Sequence, residues 1–159
     1  MHPSAQRVAE ALKERGVESP IIEFSQSTRT AQEAAAAVGA SVGQIVKSLV
    51  FLADGRPLLA LVSGANRADP AKIARLVGAQ QVERADADTV RAITGFAIGG
   101  VPPVGHMQPL PVYLDRDLQQ YALVYAAAGT PHAVFAISPQ QLQEITDAAV
   151  VDLAEEPRA

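Results

Sequence analysis

Ile45-Val46-Lys47-Ser48-Leu49-Val50-Phe51-Leu52 runs into Ala53-Asp54-Gly55-Arg56 and then into Pro57-Leu58-Leu59-Ala60-Leu61-Val62. Two apolar runs separated by an Asp-Gly turn read as a β-hairpin. The first run is rich in β-branched residues and carries a single charge, Lys47. Alternation along a strand puts Lys47 on the face of Ile45 and Leu49, and Val46, Ser48 and Val50 on the other. An ammonium beside an apolar face is costly unless it reaches an anion or water. The strand alone leaves two readings open: a functional cation in a cleft, or an edge-strand lysine whose head snorkels to solvent.

On the N-terminal side of this hairpin, Ser4 is a candidate N-cap for a helix carrying Val8, Ala9 and Leu12 as far as Gly16. Ile21–Phe24 reads as a short strand. Thr30-Ala31-Gln32-Glu33 is a capping box, opening an Ala-rich helix that runs to Gly39. Ser41 caps a short turn that delivers the hairpin. On the C-terminal side, Asp69-Pro70 pairs an N-cap with a proline at the first helical position. Val82–Arg84 reads as a short strand, and Asp86 or Asp88 starts a helix to about Thr94. Strands are expected at Val112–Leu114, Leu123–Ala127 and Ala133–Ile137. Ser138-Pro139 caps a last helix, Val150–Leu153 is a final strand, and Glu155–Ala159 is a frayed tail. Helices and strands interleave irregularly, so the expectation is an α/β (α+β) fold on a mixed sheet, not a doubly wound parallel one.

Composition narrows the function classes. The chain has 159 residues and no Cys, which fits one domain over residues 1–159 and removes thiol catalysis, zinc–thiolate sites and iron–sulfur clusters. Apolar residues make up 48%, but 30 of them are Ala and aromatics are only 4%, so the core is expected to be Leu, Val, Ile and Ala. No apolar run is long enough for a membrane span. No charged segment followed by an apolar one opens the chain, so the expectation is a soluble cytoplasmic protein. The net charge of -4 argues against unspecific nucleic-acid binding. It hides an asymmetry: residues 1–91 hold 11 of the 13 Lys and Arg but only 10 of the 17 Asp and Glu. A local basic footprint has to be built from that part of the chain.

Several other residues could carry chemistry. Gly99-Gly100-Val101-Pro102-Pro103 places two glycines, whose backbone N–H groups no side chain shields, before a stiff Pro-Pro pair. Such a loop suits an oxyanion or carbonyl cradle, or is simply a turn. No serine elbow accompanies it, and it is not a phosphate-binding P-loop. His2, His106 and His132 are not spaced as metal ligands. His2 is terminal and expected to be disordered, while His106 and His132 sit in loops, where structural and site roles both stay open. Capping accounts for Thr30. Arg29 is free for phosphate or solvent, and Ser63-Gly64-Ala65-Asn66-Arg67 forms a polar loop with the same ambiguity. Asp115 ends a strand, where it can cap the next turn.

Taken in order, Thr28-Arg29-Thr30-Ala31, then Gln44-Ile45-Val46-Lys47-Ser48-Leu49, then Gly95-Phe96-Ala97-Ile98-Gly99-Gly100-Val101-Pro102-Pro103-Val104-Gly105-His106 resemble the YbaK/ProX family. These are free-standing relatives of the editing domain inserted in bacterial prolyl-tRNA synthetase. The likeness runs from about Ser4 to Leu153. It implies a mixed, barrel-like β-sheet surrounded by helices, and hydrolysis of the ester joining a wrong amino acid to tRNA. The family's essential lysine falls on Lys47 and its Gly-x-x-x-Pro loop on Gly99 to Pro103. Lys47, Gly99, Gly100, Val101, Pro102 and Pro103 are therefore the expected catalytic set. Thr28, Thr30, Ser48, Ser63, Gly64, His106 and His132 are the expected substrate contacts.

The resemblance implies no metal or cofactor. The implied partners are the acceptor end of a mischarged tRNA and, as a further candidate, an aminoacyl-tRNA synthetase. Ala127 and Val134 stand where the cysteinyl-specific branch has polar residues, which points to Ala, Ser or Thr as the amino acid removed. A non-catalytic module that binds tRNA or a synthetase through the same cleft is the alternative from another class, and a small-molecule esterase a third.

Overall fold

The computed structural model describes residues 1–156. The chain runs α1 (Pro3–Glu14), β1 (Ile22–Glu23), α2 (Ala31–Val38), β2 (Ile45–Ala53), β3 (Arg56–Ser63), α3 (Pro70–Val77), β4 (Val82–Arg84), α4 (Ala87–Thr94), β5 (Val112–Asp115), β6 (Val124–Ala127), β7 (Ala133–Ile137), α5 (Pro139–Thr146) and β8 (Ala149–Val151). The strands form one mixed sheet in the order β1-β7-β6-β2-β3-β5-β8, with β4 paired to β2 off this path. The sheet is mixed, as expected, and it is not closed: β1 and β8 end it.

The hairpin sets the register of everything near it. Asp54 and Gly55 both take positive φ, 48° and 81°, as a two-residue turn that follows the strand twist requires. The Asp54 carboxylate also accepts the N–H groups of Gln80 and Gln81 at 3.1 and 3.0 Å, anchoring the approach to β4. The turn pairs Ala53 with Arg56, and the register continues to Val46 opposite Ser63. The two faces of the hairpin feed different cores. Val46, Val50, Leu59 and Leu61 join α1, Phe96, Leu114 and Phe135 in the main core. Phe51, Leu58, Ala60 and Val62 pack with Ile73 of α3 and with Leu153.

The other side of β2 is shared between two partners. Ile45 and Val46 pair in parallel with β6. Phe51, Leu52 and Ala53 pair with β4, and the Val50 carbonyl accepts the Ala85 N–H at 3.0 Å. Lys47, Ser48 and Leu49 fall between, with no strand beside them on that side. In an antiparallel pair alternate residues turn their N–H and C=O toward the partner. Counting back from the turn, Leu49 and Lys47 face β3, while Ser48 aims its backbone groups into the gap. The lysine is therefore not on an edge strand. It sits in a notch cut into the middle of the sheet.

Three local expectations need correction. His2, not Ser4, caps α1: its Nδ1 accepts the Ser4 N–H at 3.0 Å, so the first histidine is an ordered part of the fold. The last strand is Ala149–Val151, because Leu153 leaves the sheet to fill the second core. The expected fray does not begin at Glu155, whose N–H donates to the Arg67 carbonyl at 2.7 Å. Residues 157–159 of that tail lie outside the described residues. Among the described residues no helix is long and apolar enough to cross a membrane.

Candidate active site

The notch beside Lys47 opens into a cleft of about 380 Å³. Its walls come from the segment before α2 (Thr28, Arg29, Thr30), from β2 (Ile45 to Leu49), from Arg84 on β4, from Ile98, Gly99 and Val101, and from the β6–β7 pair Ala127 and Val134. Seven of the residues expected from the sequence line it: Thr28, Thr30, Lys47, Ser48, Gly64, Gly99 and Val101. The capping box of α2 places Thr30, whose Oγ1 accepts the Glu33 N–H at 3.1 Å while Glu33 accepts the Thr30 N–H at 3.1 Å. Gly64 admits the close approach of the turn that precedes β2: a Cβ there would stand 2.3 Å from the Val42 carbonyl oxygen.

Charge distinguishes this cleft. Arg29, Lys47 and Arg84 line it, and no Asp or Glu does. Lys47 is half-buried, and its Nζ donates to the Asn66 carbonyl. Burial holds its pKa below the ordinary lysine value, the positive charges of Arg84 and Arg67 push it further down, and Asp115 opposes them. Arg84 lies over the Phe51 ring at 5.8 Å. Arg29 lies along Gly99, where a Cβ would come within 2.5 Å of the Arg29 Cγ. Gly99 also has a φ of +90°, so two independent reasons require glycine at that position.

The Gly99–Pro103 loop divides its labour. Gly100 donates its N–H to the Ala97 carbonyl at 3.0 Å, and its own carbonyl accepts the Gly129 N–H at 2.9 Å. A Cβ on Gly100 would lie 2.8 Å from backbone atoms of Thr130. Gly100, expected in the catalytic set, thus packs against Thr130 and lies outside the lining. Pro102 and Pro103 are buried behind it and do not line the cleft. The N–H groups of Gly99 and Val101 have no protein acceptor among the described residues and stand on residues of the cleft wall. They are the loop's free donors.

Three expected substrate contacts lie outside the lining of the cleft. Ser63 is 1% exposed, and its Oγ donates to the Gly43 carbonyl at 2.7 Å. His106 lies outside the lining, with Nε2 2.7 Å from the Pro102 carbonyl, so that nitrogen carries the proton. Burial holds its pKa below the ordinary histidine value, partly offset by that bond, and the ring braces the loop. His132 is exposed, and its Nδ1 lies 3.0 Å from the Gln26 carbonyl, tying the segment before Thr28 to β7. Each histidine supports a wall of the cleft from outside.

Two hydroxyls face the opposite situation. Thr28 Oγ1 and Ser48 Oγ are buried with no hydrogen-bond partner among the described residues, and both residues line the cleft. Buried hydroxyls are normally satisfied. Arg84 was not singled out from the sequence, because the only local signal is a charge in a three-residue strand. Its place opposite the notch depends on the β2–β4 pairing.

Among known proteins, residues 25–145 match the model of the aminoacyl-tRNA editing domain. A crystal structure provisionally described as a trans-editing enzyme for prolyl-tRNA synthetase is similar at 55% identity and a TM-score of 0.94, covering 98% of this chain and 99% of the other. An Enterococcus faecalis protein provisionally named Cys-tRNA(Pro)/Cys-tRNA(Cys) deacylase EbsC is 30% identical over 132 residues, 77% of this chain and 80% of that protein. Proline–tRNA ligase of Nitratidesulfovibrio vulgaris is 38% identical over 90 residues, 57% of this chain but only 16% of the ligase.

Proposed function

The chain belongs to the aminoacyl-tRNA editing-domain family, and from that premise we propose that it is a trans-acting deacylase: it hydrolyses the ester of a mischarged small amino acid (Ala, Ser or Thr) on tRNA, with tRNA-Pro as the first candidate. The observation that carries this reading is the cleft: three cations without an acid on its walls, beside two backbone donors without acceptors. A polyanion with a reacting carbonyl is the complement of that arrangement.

Lys47 pairs with a phosphate or ribose oxygen of the terminal adenosine. Gly99 and Val101 donate their N–H groups to the ester carbonyl as it becomes an oxyanion. A water oxygen adds to that carbon, helped by the substrate's ribose hydroxyl or by a backbone carbonyl. The ester C–O bond then breaks, the ribose oxygen takes a proton, and the free amino acid leaves. No side-chain nucleophile takes part. Thr28 and Ser48 supply hydroxyls, and Ile98, Ala126, Ala127 and Val134 supply an apolar wall, a combination that suits a small side chain with or without a hydroxyl. Pocket size excludes larger ones. Ala127 and Val134 stand where the cysteinyl-specific branch has polar residues, and that difference sets this chain apart from the Enterococcus relative named for cysteine.

The test is a deacylation panel. Wild type and Lys47→Ala meet tRNA-Pro, tRNA-Ala and tRNA-Thr charged with Ala, Ser, Thr, Cys or Pro. Selective, Lys47-dependent loss of one mischarged species is expected. A flat panel from folded protein overturns the reading in favour of a binding module.

A further inference from the structure

Catalysis by Lys47 requires that its ammonium be held at the cleft. The Nζ donates to a backbone carbonyl, that of Asn66, in a loop with no regular structure. A carbonyl on a loose loop is a poor anchor. Here the loop is pinned. The Asn66 side chain donates from Nδ2 to Asp115 Oδ2 at 2.9 Å and to Asp117 Oδ2 at 2.8 Å. Carboxylates only accept, so both contacts place the amide nitrogen on that side.

Asp115 is 1% exposed. Besides Asn66 it accepts the Ser63 N–H at 3.0 Å and the Asp117 N–H at 3.0 Å. No cation forms an ion pair with it within 4.0 Å among the described residues. A buried carboxylate held by donors alone is expensive to keep. Its bonds converge on the two ends of the segment from Ser63 to Asn66, whose last carbonyl receives the lysine. The cap role read from the sequence accounts for only one of them, the bond to Asp117.

We propose that Asp115 and Asn66 are positioning residues for Lys47: the buried carboxylate fixes the Asn66 side chain, and the fixed Asn66 carbonyl sets where the ammonium stands in the cleft. This rests on the deacylase reading for its activity readout, and one measurement is independent of it. The charged groups near the ammonium are Arg84 on β4, Arg67 in the loop and Asp115 on β5, and Asp117 bonds to the same Asn66 side chain.

The experiment uses Asn66→Ala, which keeps the carbonyl but cuts its tether, and Asp115→Asn. Both are made in the wild-type and Lys47→Ala backgrounds, with folding checked by thermal melting. In the wild-type background each is expected to lower kcat/KM roughly 10-fold, since small misplacements of reacting groups are amplified in rate. In the Lys47→Ala background Asn66→Ala adds less than about twofold, because a positioning residue has nothing left to position. Independently of substrate, the side-chain NMR titration of Lys47, one of three lysines in the chain, moves up toward the ordinary lysine range in Asn66→Ala as the ammonium is released to water. Lys72, which lines another cleft, does not move. If Asp115→Asn fails to fold, Asn66→Ala carries the test alone. A folded Asn66→Ala with an unchanged Lys47 titration overturns the proposal, and so does an equal rate loss with and without Lys47. Failure of the wild type to deacylate any substrate would sink the deacylase reading and leave the titration to judge the positioning.

Discussion

Two clefts share the loop from Ser63 to Arg67, and their charges are handled in opposite ways. Gly64 lines the cleft that holds Lys47, Arg29 and Arg84 and has no acid on its walls. Ala65, Asn66 and Arg67 line the second, of about 510 Å³, where Lys72 and Arg116 meet Asp117, Asp152, Glu155 and Glu156. There two of the three cations are paired: Lys72 reaches Asp152 at 3.0 Å and Glu156 at 2.7 Å, and Arg116 reaches Asp152 at 3.5 Å, while Arg67 shares the wall with four carboxylates. These bonds raise the Lys72 pKa, whereas burial and neighbouring cations lower that of Lys47. The second cleft is the largely self-paired one. Unmatched charge, not volume, marks the place built to receive an anion.

The largest expected effect sharpens this contrast. Losing a charge-assisted contact costs about 1.5–3 kcal/mol, so Lys47→Ala should slow single-turnover deacylation by about 10- to 100-fold or more. Lys47→Met, which keeps the apolar stem, should unfold in urea no more easily than the wild type at neutral pH, because the desolvated ammonium is itself a burden. The sign follows from the lowered pKa: the burden is present in full below the folded value and fades as pH climbs from there toward the ordinary 10.5. Near-wild-type deacylation by Lys47→Ala would break the comparison outright.

Arg84→Ala comes next. It should raise KM for charged tRNA by roughly 10-fold and flatten the dependence of log affinity on log salt by about 0.7, as for one lost phosphate contact on a single strand. Steady-state kinetics reads the first and filter binding over a salt series the second. A change in KM with an unaltered salt slope would mean that Arg84 acts only by packing on Phe51.

The pH profile gives a third test. If the ammonium is the working form, kcat/KM falls as pH rises through the lowered Lys47 value, on the acid side of 10.5. The residual activity of Lys47→Arg should lack that limb, since a guanidinium stays charged. A limb that persists in Lys47→Arg would assign the titration to another group.

The second cleft supplies the smallest effects. Lys72→Ala should leave deacylation within about twofold of wild type and lower Tm by no more than about 4 °C. The Asp152 carboxylate is held below its ordinary 3.8, chiefly by its hydrogen bond to Lys72. Its stabilisation is therefore present above about pH 3.8 and is lost as pH falls through the lowered value. Acid unfolding followed by circular dichroism should begin at the same pH or slightly higher in Asp152→Ala. A loss of deacylation in Lys72→Ala would show that the paired cleft also serves the substrate.

Much of the fold was legible because its signals are local. The Asp54-Gly55 turn, the Thr30 capping box, the Asp69-Pro70 start and the alternation of the hairpin each act within a few residues. Lys47 and the Gly99 loop were legible too, through their pattern and through the family likeness. Gly100, expected in the catalytic set, and Ser63 and His106, expected as substrate contacts, lie off the cleft wall for one shared reason. Residue type shows that a glycine, a hydroxyl or an imidazole is present, but not whether its polar atoms are already taken. Gly100 is taken by Ala97 and Gly129, Ser63 by Gly43, and His106 by Pro102.

By itself, then, the sequence determined most of the elements and the family, and it singled out the lysine that lines the cleft. Tertiary structure decided that β2 is bare between β4 and β6, that Arg84 faces that gap, and that Asp115, 49 positions from Asn66, governs the loop behind the ammonium. The physical reason is range. Turns, caps and alternation are satisfied within one stretch of chain, whereas the partner of a buried charge or donor is whatever the folded chain brings to it.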